Sequence, residues 1–94
     1  MNDLRIAAVQ LNAVLGQPGQ NLAAHRTFIE RAARAKVDLV CFPELSISGH
    51  FCHRHSWKDS EPLDGPSVTQ LCEWAREFDI PLSAGIAERI GSAA

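Results

Sequence analysis

Three short apolar runs, LRIAAVQL at residues 4–11, VDLVCF at 37–42 and PLSAGIAER at 81–89, alternate with two stretches of helical character, and this alternation limits the fold more than any other feature. Nearly continuous apolar character over so few residues suits strands covered on both faces. From about Asn21 to Lys36, Leu22, Ile29 and Ala33 form one stripe with Phe28 and Ala32 beside it. Arg26, Glu30, Arg31 and Arg34 are left for the wetter surface. Asn21 is the expected N-cap, since its side chain can accept a bond from an amide that the helix leaves unpaired. A second helix opens at Gly65-Pro66, with Val68, Leu71, Cys72, Ala75 and Phe78 at helical spacing. Pro66 suits the first helical position, and Ser67 with Gln70 has capping-box spacing. Pro81 disfavours helical geometry at Ile80 and marks the stop. Strand, helix, strand, helix, strand predicts the α/β class, with parallel strands in one layer joined by crossovers. In such sheets ligand chemistry gathers beyond the carboxyl ends of the strands.

The 94 residues suffice for one small domain. A net charge of -2, with positive charges scattered along the chain, makes neither nucleic acid nor an anionic membrane an expected partner. No apolar stretch approaches the length of a membrane span, and MNDLRIAAVQL lacks the marks of a secretory signal. Cys41, Cys52 and Cys72 are odd in number and form no C-x-x-C pair, which predicts free thiols in a reducing cytoplasm.

The functional position falls at the end of the second run, in VDLVCFPELSISG. Pro43 has no amide to give the sheet, so pairing stops there, and its ring fixes the backbone angle just before Glu44. The carboxylate is thus delivered by a stiff element, as a positioned base requires. Phe42, Leu45 and Ile47 are expected to dry it in part, which would raise its pKa toward the range useful for proton transfer. Gly49 would permit the tight turn that follows. On position alone, Glu44 is equally a solvated turn residue.

AAVQLN, the helix after it, DLVCFPELSISG and then DGPSVTQLCEWAREFDIPLSAGIAER together resemble the opening of the nitrilase superfamily, the carbon–nitrogen hydrolases. The resemblance implies a four-layer α-β-β-α sandwich, of which residues 1–94 would supply an incomplete N-terminal β-α-β-α-β portion. It places the first member of a Glu–Lys–Cys triad, the general base, at Glu44. In that chemistry a thiolate attacks an amide or nitrile carbon, and the glutamate moves the proton. The lysine steadies the charge forming on the substrate. No metal or organic cofactor is implied. The implied partners are a small amide or nitrile and further copies of the complete protein.

The triad's lysine and cysteine are expected beyond Ala94, since Lys36 and Lys58 do not lie in the family's lysine segment. Cys41 and Cys72 read as small buried hydrophobes, and Cys52 is the only loop cysteine. HFCHRH at residues 50–55 carries enough ligand atoms for zinc, but its spacing is unlike a finger and the resemblance implies a loop near the substrate entrance. Ser46 and Ser48 lack the glycine two places earlier that a nucleophile elbow needs. The reading is the N-terminal portion of a cytoplasmic amidase acting on a small non-peptide amide. Two alternatives stand beside it: a glutaminase domain feeding ammonia to a synthetase, and a catalytically dead interaction or scaffold piece with open sheet edges.

Overall fold

A computed structural model describes residues 3–14, 17–48 and 60–90. Strand β1 (Ile6–Ala8), helix α1 (Pro18–Arg34), strand β2 (Leu39–Cys41), helix α2 (Pro66–Glu77) and strand β3 (Leu82–Ser83) follow in the anticipated order. The three strands are parallel in the spatial order β1-β2-β3, with Ile6 opposite Leu39 and Val40 opposite Leu82. A β-α-β-α-β layer is therefore what the chain forms.

Side chains alternate across the strands. Val40 and Phe42 are buried with Ile29 and Ala32 of α1 and with Leu71 and Trp74 of α2, while Ala7, Val9, Leu82 and Ala84 pack against this cluster. Both helices thus cover the same face. The opposite face is open: Ile6 is 52% exposed, Ala8 and Ser83 are exposed, and Leu39 and Cys41 are half-buried. Covering on both faces, expected for the strands, is met on one face only among the described residues. Arg26 ties the helices together at their rim, with its guanidinium carbon 5.7 Å from the Trp74 ring and 5.3 Å from the Phe78 ring, and with Glu30 and Glu77 as ion partners.

Both helices end alike. Lys36 and Asp79 adopt left-handed backbone, and the amides of Val37 and Ile80 reach back to the carbonyls of Ala32 and Ala75. That is the Schellman closure, with an apolar residue following each time. The starts differ from expectation. Gln17, not Asn21, is the N-cap of α1, and Pro18 at the first helical position sets its entry. For α2 the N-cap is Gly65, and the capping-box pairing of Ser67 with Gln70 does not form. Glu61 caps the helix from outside, accepting bonds from the Ser67 amide at 2.8 Å and from the Ser67 hydroxyl. A carboxylate at a helix start also suits the helix dipole.

The third strand is shorter than residues 81–89. Beyond Ser83 the neighbouring backbone belongs to the turn after β2, so the Ile47 amide bonds to the Gly85 carbonyl. Farther on, Glu61 pairs with Glu88 in an isolated parallel bridge. Among the described residues, no helix is long and apolar enough to cross a membrane.

Candidate active site

β2 runs into Phe42, whose amide still bonds to the Ser83 carbonyl at 2.8 Å. Pro43 ends the pairing and the chain turns through residues 44–48. Glu44 stands at the carboxyl edge of the sheet, as expected, and is exposed. Among the described residues no hydrogen bond or ion pair engages its carboxylate. The expected drying by neighbours is not met among the described residues. Phe42 and Ile47 point down into the core and Leu45 is half-buried, so the three support the turn from below and leave the carboxylate in water.

The turn itself is held from three directions. Leu45 takes left-handed backbone at φ 50°, a conformation that costs a leucine about 1–2 kcal/mol and persists only where its surroundings enforce it. From β3, Gly85 gives its amide to the Ser46 hydroxyl at 3.4 Å and accepts from the Ile47 amide at 3.2 Å. A methyl group on Gly85 would overlap the Leu45 amide nitrogen, so only glycine allows this backbone to lie so close. From α1, the Asn21 side chain donates to the Ile47 carbonyl at 2.6 Å, while also bonding the amide and carbonyl of Val14. One turn farther along α1, His25 is fully buried, with Nε2 2.8 Å from the Ser46 hydroxyl and Nδ1 2.6 Å from the Asn21 carbonyl. Its ring packs at 4.1 Å on Phe42. Burial lowers the His25 pKa, and the Asn21 carbonyl opposes this in part.

Sequence reasoning placed Glu44 at the end of a strand but missed the residues that hold the turn on which it stands. The buried stripe of α1 is Asn21, His25, Ile29 and Ala32, at steps of four, four and three. Its first two members are polar, so a search for apolar periodicity passed over them. The signal was nonetheless present: Asn and His four apart, in register with Ile29, fall on one helix face.

Of the cysteines, Cys41 is half-buried and free on the open face of the sheet. Cys72 is free and exposed rather than buried, lining an apolar groove between α2 and β3 with Val68, Leu82 and Ile86. Trp74 is buried instead, three residues after Leu71 on the stripe that faces the core, with Arg26 lying over its ring. Ser46 and Ser48 are buried. Cys52 and HFCHRH lie outside the described residues. Among those described, no group of three or more His, Cys, Asp or Glu is placed to hold a metal ion.

A parallel sheet crossed over by helices, with a carboxylate held at its carboxyl edge by a braced turn, defines an α/β layer. Comparison with known proteins makes the class specific. Residues 5–93 match the model of the carbon–nitrogen hydrolase family. The chain is similar to an aliphatic nitrilase of Rhodococcus rhodochrous, 31% identical over 106 residues, covering 96% of this chain and 28% of that protein. It superposes with a TM-score of 0.83 and 28% identity on XC1258 of Xanthomonas campestris, a CN-hydrolase superfamily protein with an arsenic adduct in its active site. That match covers 96% of this chain and 33% of the other. An amidase from Nesterenkonia sp. superposes with a TM-score of 0.75 at 26% identity, over 84% of this chain and 30% of its own. The chain belongs to the carbon–nitrogen hydrolase family. It spans between 28% and 33% of the length of these relatives.

Proposed function

We propose that residues 1–94 are the N-terminal portion of a hydrolase that cleaves the carbon–nitrogen bond of a small non-peptide amide, with Glu44 as its general base. The observation that carries this reading is the delivery of Glu44 at the carboxyl edge of β2 on a turn braced by α1 and β3. The remaining two thirds of the protein would supply the lysine and the cysteine of the triad. It would also supply the second sheet that covers the open face and the surroundings that dry the carboxylate. Glu44 would take the proton of the cysteine thiol as sulfur bonds to the amide carbon, then return it to the departing nitrogen. The lysine would face the oxygen on which negative charge grows. Neither step needs a metal or an organic cofactor. The free thiols of Cys41 and Cys72 suit a reducing cytoplasm, and copies of the complete protein would associate.

The test is Glu44→Gln in the full-length protein. Ammonia release from small amides should fall roughly 100- to 10,000-fold, the usual contribution of a positioned acid–base group. Circular dichroism should stay that of the parent. Turnover at the parent rate would remove Glu44 from the mechanism. A second reading, a nitrile substrate, is favoured by the similarity to an aliphatic nitrilase. Paired assays on an amide and a nitrile of the same carbon skeleton separate the two.

A further inference from the structure

His25 sits on α1 with no part in the chemistry just described, yet it is completely buried and its two ring nitrogens touch two different segments. Which nitrogen carries the proton follows from the partners. Nδ1 lies 2.6 Å from the Asn21 carbonyl oxygen, which can only accept, so Nδ1 must donate. A neutral ring then leaves Nε2 as an acceptor, and the Ser46 hydroxyl 2.8 Å away must donate to it. With its proton committed, the Ser46 oxygen offers a lone pair to the Gly85 amide at 3.4 Å. The bonds therefore run in one direction, from β3 through the turn and the ring to α1.

We propose that His25, as a neutral imidazole protonated at Nδ1, is a positioning residue for Glu44: by accepting from the Ser46 hydroxyl it orients the turn that presents the carboxylate. Ser46 lies two residues after Glu44, and between them stands Leu45 in its left-handed conformation, so rotation at Ser46 is passed directly to the carboxylate. Asn21 holds the Ile47 carbonyl from the same helix face, and the Ser46 bond adds a second hold from that face, two residues from Glu44. Apolar packing alone would not do this. Phe42 and Ile47 fix the height of the turn above the core, whereas only a directional bond fixes its rotation.

The inference rests on Glu44 being the base, and the test keeps the two apart. In the full-length protein, His25→Leu and Ser46→Ala should each lower kcat about 10- to 100-fold at nearly constant KM, the scale of a small misplacement of a reacting group. His25→Gln, whose carbonyl oxygen can accept where Nε2 did, should recover most of that loss. Unchanged kcat in His25→Leu and Ser46→Ala, beside an inactive Glu44→Gln, would overturn the positioning role alone. So would a Gln variant no better than the Leu variant. An active Glu44→Gln overturns both readings. Should His25→Leu not fold, Ser46→Ala and nitrogen-15 spectra of the parent carry the test. At neutral pH the spectra should show the proton on Nδ1; a proton on Nε2 refutes the directed chain of bonds.

Discussion

Gly85 offers the sharpest quantitative check on how the turn is held. Replacing it with alanine adds one methyl group, which would overlap the Leu45 amide nitrogen and lie 3.1 Å from the Glu44 carbonyl carbon and 3.2 Å from its Cα. All three are backbone atoms, so no side chain can swing aside. Forcing extra volume into a packed site costs about 1–3 kcal/mol. Displacement also strains the Ile47-to-Gly85 and Gly85-to-Ser46 hydrogen bonds, each worth roughly 0.5–1.5 kcal/mol. Together these predict a loss of about 2–4 kcal/mol for Gly85→Ala, allowing for partial relaxation. Gly19 is the control, since it lies within α1 and a methyl group there meets nothing within 4 Å. Gly19→Ala should gain up to about 1 kcal/mol, because alanine surrenders less backbone freedom on entering a helix. Urea unfolding of the full-length variants measures both, with a second readout in turnover. Gly85→Ala should lose kcat along with stability, because the atoms it displaces carry Glu44. Two alanine variants with equal midpoints would refute the claim that backbone contact at Gly85 sets the turn.

His25 makes a pH prediction whose sign follows from burial. Its folded pKa lies below 6.5, so as pH falls below that value the unfolded chain takes up a proton that the folded chain resists. The stabilising contribution is complete above 6.5 and declines below it. Unfolding midpoints taken above and below pH 6.5 should therefore fall more steeply for the parent than for His25→Gln; equal slopes would count against a buried neutral ring. Lys36 and Asp79, at φ 58° and 51°, occupy positions that favour glycine. Lys36→Gly and Asp79→Gly should each raise stability by roughly 0.5–1 kcal/mol, the left-handed penalty less the entropy that glycine costs. Lower midpoints in both would show that their side chains contribute more than their backbones lose.

How legible all this was in the sequence depends on the range of the interactions. Element order and type came from periodicity and punctuation: Pro66 opens α2, and Pro43 and Pro81 end what precedes them, while α1 starts at Pro18, three residues before the expected Asn21. These signals act within a few residues and survive without tertiary context. Asn21 was misread as a cap because a polar residue beside a proline- and glycine-rich stretch is a local signal too. Its real partners, Val14 and Ile47, lie on different segments that meet only in the folded chain. Trp74 was passed over for Cys72 by a similar route. Trp74, three residues after Leu71 and seven after Ser67, shares their buried stripe, whereas Cys72 lies one step from Leu71 and off to the side.

The same division explains why the strand-end position of Glu44 was legible but not its support. Its position at a strand end follows from Pro43 alone, three residues after the buried Val40. The rigidity of the turn comes instead from contacts across 21 residues to His25, 26 between Asn21 and Ile47, and 39 between Ser46 and Gly85. Each closes a loop of 21 residues or more, so none is a local signal. The orientation of the carboxylate is therefore a property of the whole layer: loosening α1 at Asn21 or β3 at Gly85 should disturb Glu44 as surely as a change in the turn. A strand with few bonds of its own can still present a group rigidly when its exit is gripped from two sides. The turn after β2, a strand of three residues, is held by Asn21 and His25 of α1 and by Gly85 just beyond β3.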